Sequence, residues 1–252
     1  MAYALLIRHA QNDWVSKNRL AGWTPGVHLN DAGRKQAEQL GDRLSKLPLK
    51  AIYSSPLERC LETAETVAAA HDLEITLLDA VGEVRYGKWE GKKIKKLSKK
   101  RSWHAVQHFP SRFRFPEGES FLEVQQRAVT AIESLSRRHK KEMIAIVSHA
   151  DVIKLVLAHY LGTHIDLFQR IAVSTASVSL LALPESGSVR ALRINDHGPI
   201  EPPPPPKERN EDSEKTRDTT AGEENVAPEL ATTPDGGKPG GPVSFSKTEA
   251  MT

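Results

Sequence analysis

This sequence is poor in cysteine, poor in aromatic residues and without a long apolar run. Cys60 is the single cysteine in 252 residues. No disulfide can form within the chain, and a reducing compartment is expected. Nothing approaches the ~20 consecutive apolar residues of a membrane helix. The first apolar run, Ala4 to Ile7, is short and leads straight into Arg8-His9. That pattern predicts no secretory leader and a cytoplasmic protein. Of the few aromatics, 6% of the chain, only Phe245 falls beyond residue 200, and this absence marks a boundary.

Beyond that point the composition changes. Five prolines, Pro202 to Pro206, are followed by Lys, Glu, Asp, Ser, Thr and Gly. Such a segment buries too little apolar surface to offset the entropy of ordering it. The sequence therefore predicts a folded domain over 1–199. It predicts a disordered, acidic tail over 200–252, opening with a polyproline spacer. The tail carries 6 basic and 11 acidic residues, which leaves 29 and 21 on residues 1–199, a net of +8 for the body. A basic body suits an anionic ligand; nucleic acid or plain solubility would account for the charge equally well.

What is present is an alternation of strands and helices. Ala4-Leu5-Leu6-Ile7 reads as a buried strand, and Met143 to Val147 as another. Ile52 and Ile75 lie in shorter strand candidates. Asn30 is an N-cap for a helix through Ala37, Leu40 and Leu44, ended by Pro48. Ser55-Pro56-Leu57-Glu58 and Ser120 to Glu123 read as capping boxes opening two further helices. Val178 to Leu183 and Val189 to Ile194 form a hairpin candidate at a sheet edge. The expected fold is α/β, a three-layer α/β/α sandwich around a mostly parallel sheet.

The chemistry gathers at the ends of the strands. Arg8-His9-Ala10 follows one apolar run and Ser148-His149-Ala150 follows another. Ligands in open α/β sheets bind at that edge. Arg59 falls in the first turn of a helix, and Glu83 in a glycine-rich loop, Gly82 to Gly91. Two arginines with two histidines make a pocket for a compact dianion, and phosphate fits because Arg presents paired planar donors. A neutral histidine can accept a phosphoryl group. A glutamate can protonate the leaving oxygen and later activate water. Two His and one Glu also form a zinc-like ligand set; the adjoining arginines work against a cation. The lysine-rich run Lys92 to Arg101 reads as a solvated helix face or as a cap steering anions. Nucleic acid is disfavoured because no aromatics interleave with it.

These residues resemble the histidine phosphatase superfamily, which includes the cofactor-dependent phosphoglycerate mutases. Leu6-Ile7-Arg8-His9-Ala10-Gln11-Asn12 is similar to its Arg-His-Gly signature. The blocks at Asn18 to Trp23, Leu29 to Gly33, Tyr53 to Arg59, Glu83 to Gly91, Glu117 to Ser120 and Val147 to His149 follow in the family's order. The resemblance covers about residues 3–195, nearest to bacterial members described as phosphomutases or broad phosphatases. It implies a phosphoglycerate mutase-like fold and a phosphohistidine on His9. It implies that Arg8, Arg59 and His149 hold the phosphoryl group, and that Glu83 is the general acid/base. It implies no metal and no organic cofactor, with a small phosphorylated molecule as substrate.

Ala10 stands where glycine is usual, Gln11-Asn12 where Glu-Thr or Glu-Ser is common, and Val15 where many members place a phosphate-contacting asparagine. Asn12 retains a donor for substrate. Gly87-Lys88-Trp89-Glu90-Gly91 resembles phosphatase members more than glycolytic mutases. A phosphatase is the expected activity, with a phosphomutase or a non-catalytic phosphoprotein-binding relative as alternatives.

Overall fold

The computed structural model describes residues 1–198. The expected tail, 200–252, lies outside the described residues, as does the last residue of the expected domain. In chain order the elements are β1 (Ala2–Arg8), α1 (Asp13–Ser16), α2 (Asp31–Leu44), β2 (Leu49–Ser54), α3 (Glu58–Ala69) and β3 (Ile75–Leu77). Then come α4 (Ile94–Leu97), α5 (Arg101–His108), α6 (Phe121–Arg138), β4 (Met143–Ser148), α7 (Ala150–Tyr160), β5 (Val178–Leu183) and β6 (Arg190–Asp196).

One six-stranded sheet runs in the order β3-β2-β4-β1-β5-β6. β1 to β4 are mutually parallel where they pair. β5 lies antiparallel to β1, and the expected hairpin places β6 at the edge. Alternate residues of the central strands feed two cores. Leu5, Ile7, Ala145 and Val147 face one side, under Leu40 and Leu44 of α2 and Ala64 and Val67 of α3. Ala4, Leu6, Ile144 and Ile146 face the other, under Val124 and Ala128 of α6 and Leu155 and Val156 of α7. The three-layer sandwich follows from that period-two alternation.

Local signals set two helix starts as expected. Asn30 Oδ1 accepts from the Gly33 amide at 2.9 Å, and the Ser120–Glu123 capping box is complete. The third is different. Helix α3 begins at Glu58 with Leu57 as its N-cap and no side-chain cap bond. Both side chains that would close the box are committed elsewhere. Ser55 Oγ lies 2.8 Å from His149 Nε2, and Glu58 Oε1 accepts from the Gly26 amide at 2.8 Å. Between β1 and α2 the chain makes one helical turn, α1, capped by Asn12 Oδ1.

The lysine-rich run forms α4 and the approach to α5. Its lysines face solvent, while Leu97 is buried and Ile94 half-buried. Phe115 is 1% exposed and belongs to the core, whereas Phe109 is 50% exposed.

Candidate active site

Parallel pairing of β1 with β4 sets Arg8 opposite Ser148. The two histidines therefore leave the sheet side by side, with ring centroids 5.3 Å apart. The His9 amide donates to Ser148 O at 3.0 Å, which locks the two strand ends together. His9 Nδ1 lies 2.8 Å from Ala10 O. A carbonyl only accepts, so Nδ1 carries the proton and Nε2 keeps its lone pair. The Ala10 amide donates to Thr63 Oγ1 at 3.0 Å, so the segment after His9 is tied to α3.

Close packing holds the same segment from below. Gly33 of α2 sits against Gln11, and a Cβ there would stand 1.9 Å from the Gln11 carbonyl oxygen. Only glycine permits this approach.

Arg59 is 1% exposed although it bears a full charge. Its Nη2 donates to Gly22 O at 2.9 Å and lies 3.3 Å from His149 Nδ1. Glu83 Oε2 is 4.0 Å from Arg59 and 3.6 Å from His149 Nδ1. Arg8 Nη1 donates to Val173 O at 2.7 Å. Asn12 Oδ1 is taken by the amides of Trp14 and Val15, which leaves its Nδ2 for a ligand.

The five expected residues and Asn12 do converge. Arg8, His9, Asn12, Arg59 and Glu83 line one cleft of about 220 Å³, with His149 buried against it. Three buried donors there, Arg8 Nε, Asn12 Nδ2 and Arg59 Nη1, have no hydrogen-bond partner among the described residues. Val15 also lines the cleft. Larger cavities lie elsewhere, one around Tyr160 and Leu183, the other around Arg43 and His197. Neither contains this set of charges.

Burial depresses the pKa of His9 well below 6.5, and the cations of Arg59 and Arg8 depress it further. His149 is depressed in the same way by burial and then by Arg59. Both rings are neutral near pH 7. Burial pushes the Glu83 carboxyl up to about 7, against the pull of Arg59. A group poised there can both give and take a proton at neutral pH. Burial pushes the Cys60 thiol up to about 12, so it stays protonated beside the site. Among the described residues no cluster of three His, Cys, Asp or Glu side chains is arranged to hold a metal ion, and none of the helices is long and apolar enough to cross a membrane.

Several supporting residues escaped the sequence reading. Arg127 of α6 donates to Ala80 O, Gly82 O and Glu83 O at 2.7, 2.9 and 3.0 Å, while Glu119 pairs with it. Trp23 Nε1 donates to Glu83 O at 2.6 Å. The loop bearing Glu83 is thus clamped from two sides. Ser55 is the third such residue, through His149. Its capping motif pointed to a helix, and nothing local marked the contact with a histidine 94 positions on.

The family model of the histidine phosphatase superfamily (branch 1) matches residues 4–197. Phosphoserine phosphatase 1 of Hydrogenobacter thermophilus is 30% identical, over 77% of this chain and 92% of its own. Phosphoglycerate mutase-like protein 4 of Arabidopsis thaliana is 33% identical, over 61% of this chain and 68% of its own. Among solved structures, Bacillus stearothermophilus YhfR superposes with a TM-score of 0.74 at 30% identity, covering 80% of this chain and all of its own. Family model, relatives and fold agree, and the chain belongs to the histidine phosphatase superfamily (branch 1) as one of its enzymes.

Proposed function

We propose that the protein is a cytoplasmic phosphomonoesterase that works through a phosphohistidine on His9. The three orphaned donors carry this reading. Buried polar groups in folded proteins are almost always satisfied. Here Arg8 Nε, Asn12 Nδ2 and Arg59 Nη1 are all donors, and their residues line one cleft. A phosphoryl dianion supplies the acceptors they lack.

In the first step the His9 Nε2 lone pair attacks phosphorus. The P–O ester bond breaks, and the departing oxygen takes the proton of the Glu83 carboxyl. Arg8, Arg59 and His149 stabilise the charge on the equatorial oxygens, the kind of fixed electrostatics that contributes most to catalysis. In the second step the Glu83 carboxylate removes a proton from water, and the water oxygen attacks phosphorus. The P–N bond breaks, inorganic phosphate leaves, and Glu83 is again protonated.

The test is a quench of the working enzyme with labelled phosphomonoester. Label on His9 that survives base and is lost in acid is expected, and the His9→Ala chain should acquire none. Turnover retained in His9→Ala would refute the mechanism. Efficient interconversion of 2- and 3-phosphoglycerate without phosphate release would establish the mutase alternative instead. The catalytic unit is residues 1–199, and removing 200–252 should leave phosphate release unchanged.

A further inference from the structure

The cleft does not end at His9. A second chamber of about 220 Å³ opens beside it, with half-buried Leu20, Ile94 and Trp103 at its surface and the core residues Val106, Phe115 and Phe121 directly behind them. The two compartments share Leu20, Tyr86, Ile94 and Asp151. The walls are held in place. Phe115 and Phe121 meet edge to face with centroids 5.3 Å apart. Trp103 stacks on buried Trp89 at 6.0 Å, with the ring planes 18° apart.

The chamber has little charge to offer a ligand. Lys154 is the one cation in its lining among the described residues. Its ammonium is 3.3 Å from Asp151 Oδ1 and 3.1 Å from Gln169 Oε1. The other Asp151 oxygen accepts from the Tyr86 hydroxyl at 3.0 Å. The charges of Asp151 and Lys154 cancel within the wall. Arg19, in the first compartment, is turned onto Gly91 O and over the Trp14 ring. A carboxylate or second phosphate entering here would pass the Glu83 and Asp151 carboxyls and meet no unpaired cation beyond them, at a desolvation cost that nothing returns. An uncharged ring would exchange water for Leu20, Ile94 and the Trp103 ring, and an apolar cavity of roughly 150 Å³ is enough to hold benzene.

We propose that this chamber receives the alcohol half of the substrate and selects an uncharged, ring-bearing one. The substrates are then phosphomonoesters of aromatic or alicyclic alcohols, with phosphoglycerates, phosphoserine and bisphosphates excluded. This inference rests on the phosphatase reading above.

The experiment compares kcat/KM for benzyl phosphate, glycerol 3-phosphate, phosphoserine and 3-phosphoglycerate, all esters of unactivated alcohols. Acetyl phosphate serves beside them, because its leaving group is too short to reach the chamber and reports on His9 alone. Benzyl phosphate should exceed the other three esters by at least roughly tenfold, the scale set by burying one or two carbons of hydrocarbon. Ile94→Lys puts a cation in the shared wall and should lower the ratio of benzyl phosphate to 3-phosphoglycerate by roughly tenfold or more. Turnover of acetyl phosphate with phosphoserine or 3-phosphoglycerate at least equal to benzyl phosphate would overturn this inference and leave the phosphatase reading standing. No turnover of acetyl phosphate or of any ester would overturn both.

Discussion

Two strands end on the same pattern, Arg8-His9-Ala10 and Ser148-His149-Ala150, and their histidines meet at one cleft from neighbouring positions in the sheet. They present different atoms. His9 gives its Nδ1 proton to the carbonyl of the next residue, so Nε2 faces the cleft with a lone pair. His149 turns Nε2 onto Ser55 Oγ and leaves Nδ1 between Arg59 and Glu83. Before substrate binds, Arg59 Nη2, a donor only, gives its hydrogen to Nδ1, and Nε2 gives the ring proton to Ser55 Oγ. When a phosphoryl oxygen takes the Arg59 hydrogen instead, Ser55 can donate to Nε2 and Nδ1 then carries a proton for that oxygen. One ring is arranged to attack and the other to donate. What separates them is the partner of the nitrogen turned away from the cleft, since sequence, burial and charge environment are nearly alike.

The strongest test of that contrast is to remove each ring. His9→Ala should lower phosphate release by roughly four to six orders of magnitude, as loss of a nucleophile does. His149→Ala should cost roughly 10² to 10³, the scale of one stabilising donor. The His149→Ala enzyme should still become labelled, read by base quench; equal losses with no label in either would erase the distinction.

Glu83 connects the two rings, and its effect is expected next in size. Glu83→Gln should lower turnover of benzyl phosphate by roughly 10² to 10⁴. The first step alone, read as the burst of nitrophenolate from 4-nitrophenyl phosphate, should fall far less because nitrophenolate leaves unprotonated, while hydrolysis of the phosphohistidine slows for both esters. In the unaltered chain, kcat/KM for benzyl phosphate should fall above about pH 7, where the Glu83 carboxyl loses its proton. A profile flat to pH 9 would remove Glu83 from the acid role.

Ser55→Ala sharpens the comparison without deleting either ring. It should reduce turnover roughly tenfold, about the worth of one oriented hydrogen bond. The nitrogen resonances of His149 should shift as its tautomers mix, while those of His9 stay put. Unchanged His149 resonances would mean that Ser55 does not set its proton.

Stability offers the smallest and most general check. A folded-state pKa below the unfolded value means that the unfolded chain binds more protons in the interval. For His9 and His149 that interval lies below 6.5, so their contribution is complete above 6.5 and is lost as pH falls. Glu83 acts in reverse, because its raised pKa contributes stability below 4.5 that is lost as pH rises to about 7. Denaturant midpoints at pH 5 and 7 should show the chain weaker at pH 5, and doing so less when both histidines are replaced by Asn. Gly33→Ala should cost roughly 1–3 kcal/mol by overpacking, read in the same titration.

Much of this was legible where the signal is local. The β1 and β4 runs, the Asn30 cap and the Ser120–Glu123 box each follow from a few adjacent residues, and the strand-end rule then brought His9 and His149 together. The capping motif at Ser55 failed for a physical reason. Its serine and glutamate bond to His149 and Gly26, and no local pattern shows that long-range partners will claim them. Arg127 was illegible because its role is to meet backbone carbonyls of another segment, and carbonyls leave no mark in a sequence. The lysine run reads as a solvated helix face and does form α4, but its two apolar members, Ile94 and Leu97, are too few to fix where that helix begins and ends.

The position of β1 in the middle of the sheet has a thermodynamic consequence. The residues around His9 come from strand, helix and loop segments that the pairing of β1, β2 and β4 brings together. An oxyanion that needs all of them has no counterpart site on the unfolded chain. Its binding free energy therefore adds in full to the free energy of unfolding, by RT ln(1 + [L]/Kd). Phosphate or vanadate should raise the melting temperature by an amount that tracks occupancy, and the melt itself becomes a titration of the site.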